Sequence, residues 1–249
     1  MTCTEQIEDF WASFFGISPE MLRAPGVKVI PHSALQGWAG AWFFVRGASA
    51  IVTVPRGWMP TLEAQLAGTS PDDLLGTDAA RNLFGAAFAH SIGPSFQGWL
   101  PPSRFRSARS EAHVRPLFDR DRAATASLRR DCSPVEWEHS GIEENRPELL
   151  GAFVGDELVA VAQLRSRGVQ AVDPCVVTHP SRRGFGYGSH AVSVSVERAA
   201  SSGKLVLYQT ALSNVPAVAL GRNLGFEHYA TLLAVRLTGL QTGGQSRSP

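Results

Sequence analysis

Apolar residues recur at intervals of three and four near the start of the chain, at Ile7, Phe10, Trp11, Phe14 and Phe15. That spacing predicts a first helix with a broad apolar face. Such a face must bury against its own sheet, against another domain or against a second copy of the chain. Residues 26–32 and 41–54 then read as strands. Within the second, Trp42 to Val45 and Ala50 to Val54 flank a turn at Arg46-Gly47-Ala48-Ser49. A helix is predicted over 60–67, with proline in its first turn, and Ser70-Pro71-Asp72-Asp73 opens another. Residues 93–103, rich in glycine, proline and aromatics, read as a loop. Arg104, Arg106 and Arg109 lie in a stretch without apolar period, so a linker is expected at 104–112.

From His113 the pattern changes. Residues 114–117 read as a strand and 119–130 as a helix. Residues 149–154 and 158–164 form a hairpin around Gly155-Asp156-Glu157. A strand over 169–178, a helix over 189–200, a strand over 205–210, a helix after Asn214 and a strand over 230–237 complete the order. The division expected is an α+β domain at 1–110, a second domain at 111–238, and a disordered Gly-, Ser- and Gln-rich tail at 239–249.

The most specific chemistry lies between strand 169–178 and the next helix. Arg183-Gly184-Phe185-Gly186-Tyr187-Gly188 reads R-x-x-G-x-G. A strand, a glycine loop and a helix N-terminus make an anion cradle: backbone N–H groups approach an oxyanion closely and the helix end adds partial positive charge. Arg182 and Arg183 place full charges on the rim. The expected ligand carries a pyrophosphate. A dinucleotide fold would set its glycines on the first strand of a domain, with an acid about 20 residues on. Here the loop is late in the chain, and 200–210 contains no acid. The Gly-Lys-Ser or Gly-Lys-Thr of a nucleotide-binding P-loop is absent. A lone glycine motif is also compatible with an ordinary tight turn. A second segment decides: strand-like Leu205 to Thr210, then Asn214, Ala217 and Leu220, closing as Asn223-Leu224-Gly225-Phe226.

Together the two segments resemble the GNAT superfamily of acetyl-CoA-dependent N-acetyltransferases, over roughly His113 to Leu237. The resemblance implies a mixed α/β fold, a mostly antiparallel sheet flanked by helices. The added N-terminal α+β region can be a degenerate GNAT half, although no repeat is demonstrable from the residues. It also implies acetyl-CoA as cosubstrate, with no metal. Val176, Val177 and Thr178 would bind the pantetheine arm through backbone N–H groups. Arg183, Gly184, Phe185, Gly186, Tyr187, Gly188 and Ser189 would take the pyrophosphate, and Asn214 would reach the arm from the other side. A backbone N–H near the thioester oxygen would stabilise the oxyanion.

One departure matters. Many family members carry a tyrosine seven residues after this asparagine, which protonates the leaving thiolate. This chain has Gly221 there. Tyr229 is then the candidate donor, while Tyr187, inside the loop, and Tyr208, mid-strand, read as structural. The acceptor must lose a proton before it attacks. Glu136, Trp137, Glu138 and His139, followed by Glu143 and Glu144, fall where the family builds its acceptor pocket. Glu136, Glu138 and Asp173 are the candidate bases. Helix capping or plain solvent exposure is the alternative for the glutamates, and a strand-end turn before Pro174 is the alternative for Asp173.

Composition narrows the partners. Hydrophobic residues are 44%, charged residues 18% and the formal net charge +1. Neither a nucleic-acid surface nor a membrane surface is indicated, and no run approaches the ~18 apolar residues of a membrane span. The start of the chain lacks the basic region of a signal peptide. Cys3, Cys132 and Cys175 are widely spaced and odd in number, which suits a reducing cytoplasm. The expected function is acetylation of a small-molecule amine. An acidic acceptor segment and an extra domain make an aminoglycoside antibiotic, and hence antibiotic resistance, the narrowest version. Acetylation of a protein or peptide N-terminus, or an acetyl-CoA-binding regulatory module without turnover, are the alternatives.

Overall fold

The computed structural model of the chain describes residues 3–143 and 148–238; Glu144 and the tail expected at 239–249 lie outside them. The elements run α1 (Cys3–Phe15), α2 (Pro19–Arg23), β1 (Gly26–Pro31), β2 (Gly40–Arg46), β3 (Ser49–Val54), α3 (Met59–Gln65), α4 (Thr77–Phe84) and β4 (Phe88–Trp99). There follow β5 (His113–Pro116), α5 (Arg122–Asp131), α6 (Pro134–Ser140), β6 (Leu150–Val154), β7 (Glu157–Arg167) and β8 (Ala171–Thr178). The last are α7 (Tyr187–Ser201), β9 (Leu205–Ala211), α8 (Val215–Leu224) and β10 (Glu227–Leu237). The fold is mixed α/β, with mostly antiparallel strands flanked by helices. The compact units are not consecutive in sequence. One comprises Met1–Gly98, Gln209–Val218 and His228–Pro249, the other Trp99–Tyr208 and Ala219–Glu227.

In the first unit β2 and β3 form a hairpin, β1 joins β3 in parallel, and β10 runs antiparallel to β2 with Leu233 opposite Phe43. Side chains alternate across this sheet. Phe43, Val45, Val52, Leu233 and Val235 pack with Leu62 and Leu66 and with Phe84 of α4. On the other face, Trp42 stacks on Phe14 and Phe44 meets Trp11 and Phe15. The broad apolar face of α1 is therefore buried on its own sheet, and it makes no case for a second copy of the chain. Each fully buried aromatic of this kind is worth about 1.5–3 kcal/mol relative to exposure.

The loop expected over 93–103 is in large part strand. β4 runs through Gly93-Pro94 to Trp99, buried from Ser95 onward. Glycine, proline and aromatics read locally as loop, but burial decides here. Ser95 Oγ donates to Leu232 O of β10 at 3.1 Å, and a Cβ on Gly93 would come within 2.9 Å of that same carbonyl oxygen.

The second unit orders its strands β9-β8-β7-β6-β5, antiparallel except for β8 with β9. Even-numbered Val176 and Thr178 lie against the first turn of α7, where a Cβ on Gly188 would approach Thr178 Oγ1 within 2.5 Å. Odd-numbered Cys175 and Val177 lie in the core with Leu128 of α5 and Trp137 of α6.

The division into two consecutive domains, 1–110 and 111–238, stands as our proposal, and truncation tests it. Leu232, Leu233, Ala234 and Val235 of β10 are at most 2% exposed, and β2 supplies their strand partners. A chain starting at Glu111 would lose those partners and should aggregate on size-exclusion chromatography. A monodisperse, fully active product would show that the N-terminal region is dispensable.

Candidate functional site

β8 is paired with β7 along its length, from Ala171 to Thr178. Among the described residues its pairing with β9 is confined to Ala171–Leu205 and Val172–Val206. From Asp173 onward the two strands part. The backbone groups of 173–178 that would have completed a ladder are left for another partner.

At the end of β8 the chain turns through Pro180–Arg182 into the glycine loop. Gly184 and Gly186 have φ of 84° and 80°, conformations glycine adopts at no steric cost. A Cβ at either would meet nothing within 4 Å, so the space over the loop is open. Gly186 is the N-cap of α7 and offers no side chain to its first turn. The first N–H groups of this 15-residue helix have no intrahelical partner, and the helix end favours an anion. Phe185 is 63% exposed on the loop and stacks on Tyr187, whose hydroxyl donates to Glu111 Oε1 at 2.6 Å. These residues fit a pyrophosphate.

The rim arginines are not free charges. Arg182 is paired with Glu157. Arg183 Nη1 lies 2.8 Å from Glu136 Oε1, and its Nε donates to Thr178 O at 3.3 Å. Glu136 also closes the cap of α6. Its Oε2 accepts from Ser133 N and Oγ, and its own N–H donates to Ser133 Oγ. Arg183, then Ser133, hold the Glu136 carboxyl down at about 2.

The other candidates separate. Trp137 is buried core, with Arg129 over its ring. Glu138 and His139 are exposed on α6. Asp173 is buried, and its Oδ2 accepts from Arg165 Nη2 and from Arg167 Nη2 and Nε. Asn214 belongs to the first unit, where its Oδ1 caps α8 by accepting from Ala217 N at 3.2 Å. Tyr229 also belongs to the first unit. Its ring lies under Arg46, its hydroxyl is buried without a partner among the described residues, and burial pushes it up to about 12.

Two residues that the sequence left unremarked gather in the second unit, with a third, Tyr208, that it read as structural. Arg165 and Arg167 stand on β7 opposite Asp173 and Ala171 of β8, on the face shared with Val161 and Cys175. Their signal was a polar i, i+2, i+4 stripe, Gln163-Arg165-Arg167, continuing an apolar strand face. Tyr208 of β9 is the third. A Cβ on Gly221 would fall 2.7 Å from its Cε1, so the tyrosine ring fills the space beside the glycine. Burial, then Asp173 and Cys175, raise its hydroxyl well above the ordinary phenol range.

Residues 114–226 match the model of the Acetyltransferase (GNAT) family. No curated protein matches the chain. Among solved structures, an acetyltransferase of the GNAT family from Colwellia psychrerythraea aligns with 94% of this chain and 96% of its own, at 14% identity and a TM-score of 0.53. A GCN5-related N-acetyltransferase from Kribbella flavida covers 96% and 97%, at 11% identity and 0.50. A GNAT-family chain from Novosphingobium aromaticivorans is 18% identical with a TM-score of 0.46, over 59% of this chain and 65% of that one. At these identities the likeness is one of fold. It takes in the N-terminal region in the first two cases.

The contact at Gly221 gives a test. An ordinary glycine-to-alanine change inside a helix gains up to about 1 kcal/mol. Gly221→Ala should instead lose about 1–3 kcal/mol in urea unfolding, the usual cost of overpacking. Adding Tyr208→Leu should recover part of the loss. A stabilised single variant would show that the ring does not press on this glycine.

Proposed function

We propose that the chain transfers the acetyl group of acetyl-CoA to an amine of a small molecule in a ternary complex. The observation that carries this reading is the parting of β8 from β9 beside the uncapped N-terminus of α7. Of Val176, Val177 and Thr178, the N–H groups of Val176 and Thr178 face away from β7 and suit the amide-bearing pantetheine arm. Residues 183–189 suit the pyrophosphate. The amine nitrogen attacks the thioester carbonyl carbon, the carbon–sulfur bond breaks, and the acetamide and coenzyme thiolate leave. The ammonium must first give up a proton. Glu138, exposed on α6, is the carboxylate we assign to receive it, because Glu136 and Asp173 are already bound to arginines. The thiolate takes its proton from Tyr208, whose raised phenol holds the proton through the neutral range. This assignment replaces Tyr229.

The narrower aminoglycoside version rests on the acidity of Glu136, Glu138 and Glu143, of which the first is already paired with Arg183. Free buried Cys132 and Cys175 fit a reducing cytoplasm. Among the described residues, no helix is long and apolar enough to cross a membrane and no cluster of three or more His, Cys, Asp or Glu could hold a metal.

Two variants test the assignment. Gly186→Asp puts a carboxylate where the pyrophosphate would lie, and should weaken acetyl-CoA binding in calorimetry by at least about 10-fold, the scale of one charge-assisted hydrogen bond. Unchanged affinity in a folded variant would remove the cradle from the reading. Tyr208→Phe should lower kcat about 100-fold or more, as loss of a general acid does, while acetyl-CoA affinity holds. Parental kcat would leave protonation to solvent.

A further inference from the structure

The sheet of the first unit has an open edge. β1 is a terminal strand, with β3 on one side and, among the described residues, no strand on the other. Its bonds to β3 come from even-numbered residues. Gly26 N donates to Ala48 O at 2.7 Å and His32 N to Val54 O at 2.9 Å. The register between them is unbroken, with Lys28 opposite Ile51 and Ile30 opposite Thr53. Alternate residues of a strand in a parallel pair bond the same neighbour. The N–H and C=O groups of Val27 and Val29 therefore point away from β3, along the free edge. Pro31 has no N–H to offer and ends that edge.

A cleft of about 370 Å³ lies beside the same edge. Gly26, Val27 and Val29 line it from β1, and Glu63, Leu66 and Thr69 line it from α3 and the turn that follows. The two valine side chains pack on the core of the sheet, so this side of the cleft combines apolar surface with unpaired backbone groups. Glu63 is exposed and has no partner among the described residues. α3 has no basic residue in its last turn. Lys28, the one cation of β1, alternates to the opposite face from the valines and donates to Ser49 Oγ at 2.9 Å. The cleft thus presents a carboxylate and no positive charge.

We infer that this edge is a docking site for an extended protein segment, which adds to β1 as a further strand and sets a basic side chain beside Glu63. The edge at Val27 and Val29 supplies main-chain hydrogen bonds, the cleft takes alternate side chains of the added strand, and the carboxylate selects a basic one. The inference concerns the first unit alone and does not rest on the acetyl-transfer reading.

The test uses the full chain, isotope-labelled for NMR. It is titrated with acetylated and amidated six-residue peptides of alternating threonine and valine, in which one arginine takes each valine position in turn. At least one peptide should shift the amide resonances of Val27 and Val29 and slow their exchange with solvent. N-methylation of that peptide's backbone should abolish both effects. Glu63→Gln should weaken its binding about 10-fold, the scale of one charge-assisted hydrogen bond, with the urea midpoint unchanged. The inference is overturned if no peptide moves these amides, if the N-methylated peptide binds as tightly, or if Glu63→Gln binds like the parent. It is overturned too if N-acetylarginine amide alone shifts them as strongly, which would make the cleft a pocket for a small cation. Shifts that appear on raising the protein concentration without peptide would overturn it in favour of pairing between two copies of the chain.

Discussion

The functional geometry depends on one interrupted ladder. Among the described residues, β8 keeps β7 along its whole length but keeps β9 for only Ala171 and Val172. A strand edge with unsatisfied N–H and C=O groups is a template for whatever can complete it. Because successive side chains alternate, the same short strand serves two sides. Val176 and Thr178 face α7 and the glycine loop, while Asp173, Cys175 and Val177 face α5 and α6. On the acetyl-transfer reading proposed above, coenzyme and acceptor would meet along one strand, with the backbone edge between them.

Full charge contributes less to the anion cradle than the sequence suggests. Arg182 and Arg183 are each committed to a glutamate, and exposed pairs of this kind are worth little in themselves. What attracts an anion without competition is the backbone of the first turn of α7 and its dipole. Arg183 has a second consequence. It joins the loop to Glu136, which caps α6. A pyrophosphate that recruited Arg183 would draw it from Glu136, so occupancy at the loop would be felt at the start of α6. The link is electrostatic and local, and it requires no movement of the strands.

The parts of this arrangement that were legible in the sequence are those set by local pattern. R-x-x-G-x-G fixed the loop because left-handed backbone at Gly184 and Gly186 and close packing at Gly188 each exclude a side chain or favour its absence. The period-3.6 face of α1 fixed its burial, though not what covers it. What was not legible depends on pairing between distant segments. β4 hid behind Gly93-Pro94 because its strand character comes from burial and its neighbour β10. Arg165 and Arg167 became notable only once β7 lay beside Asp173. Glu136 read as a base, and only the fold shows it as a cap and an arginine partner.

Gly221 carries this argument to the level of a single position. Read alone it is a missing tyrosine, and the gap favours a domain that binds without turnover. With the strand beside it, the same glycine is a complement. The Tyr208 ring occupies the volume that any larger residue at 221 would need, and a buried phenol arrives at the helix from β9 rather than from α8. Positions 208 and 221, 13 residues apart, thus compete for one volume, and an exchange of side chain between them would keep it filled. Close packing makes such an exchange all-or-none, because an interior at crystal-like density has room for one ring and not two. A departure from a family's residue pattern therefore says little about loss of chemistry until the neighbouring strand has been read with it.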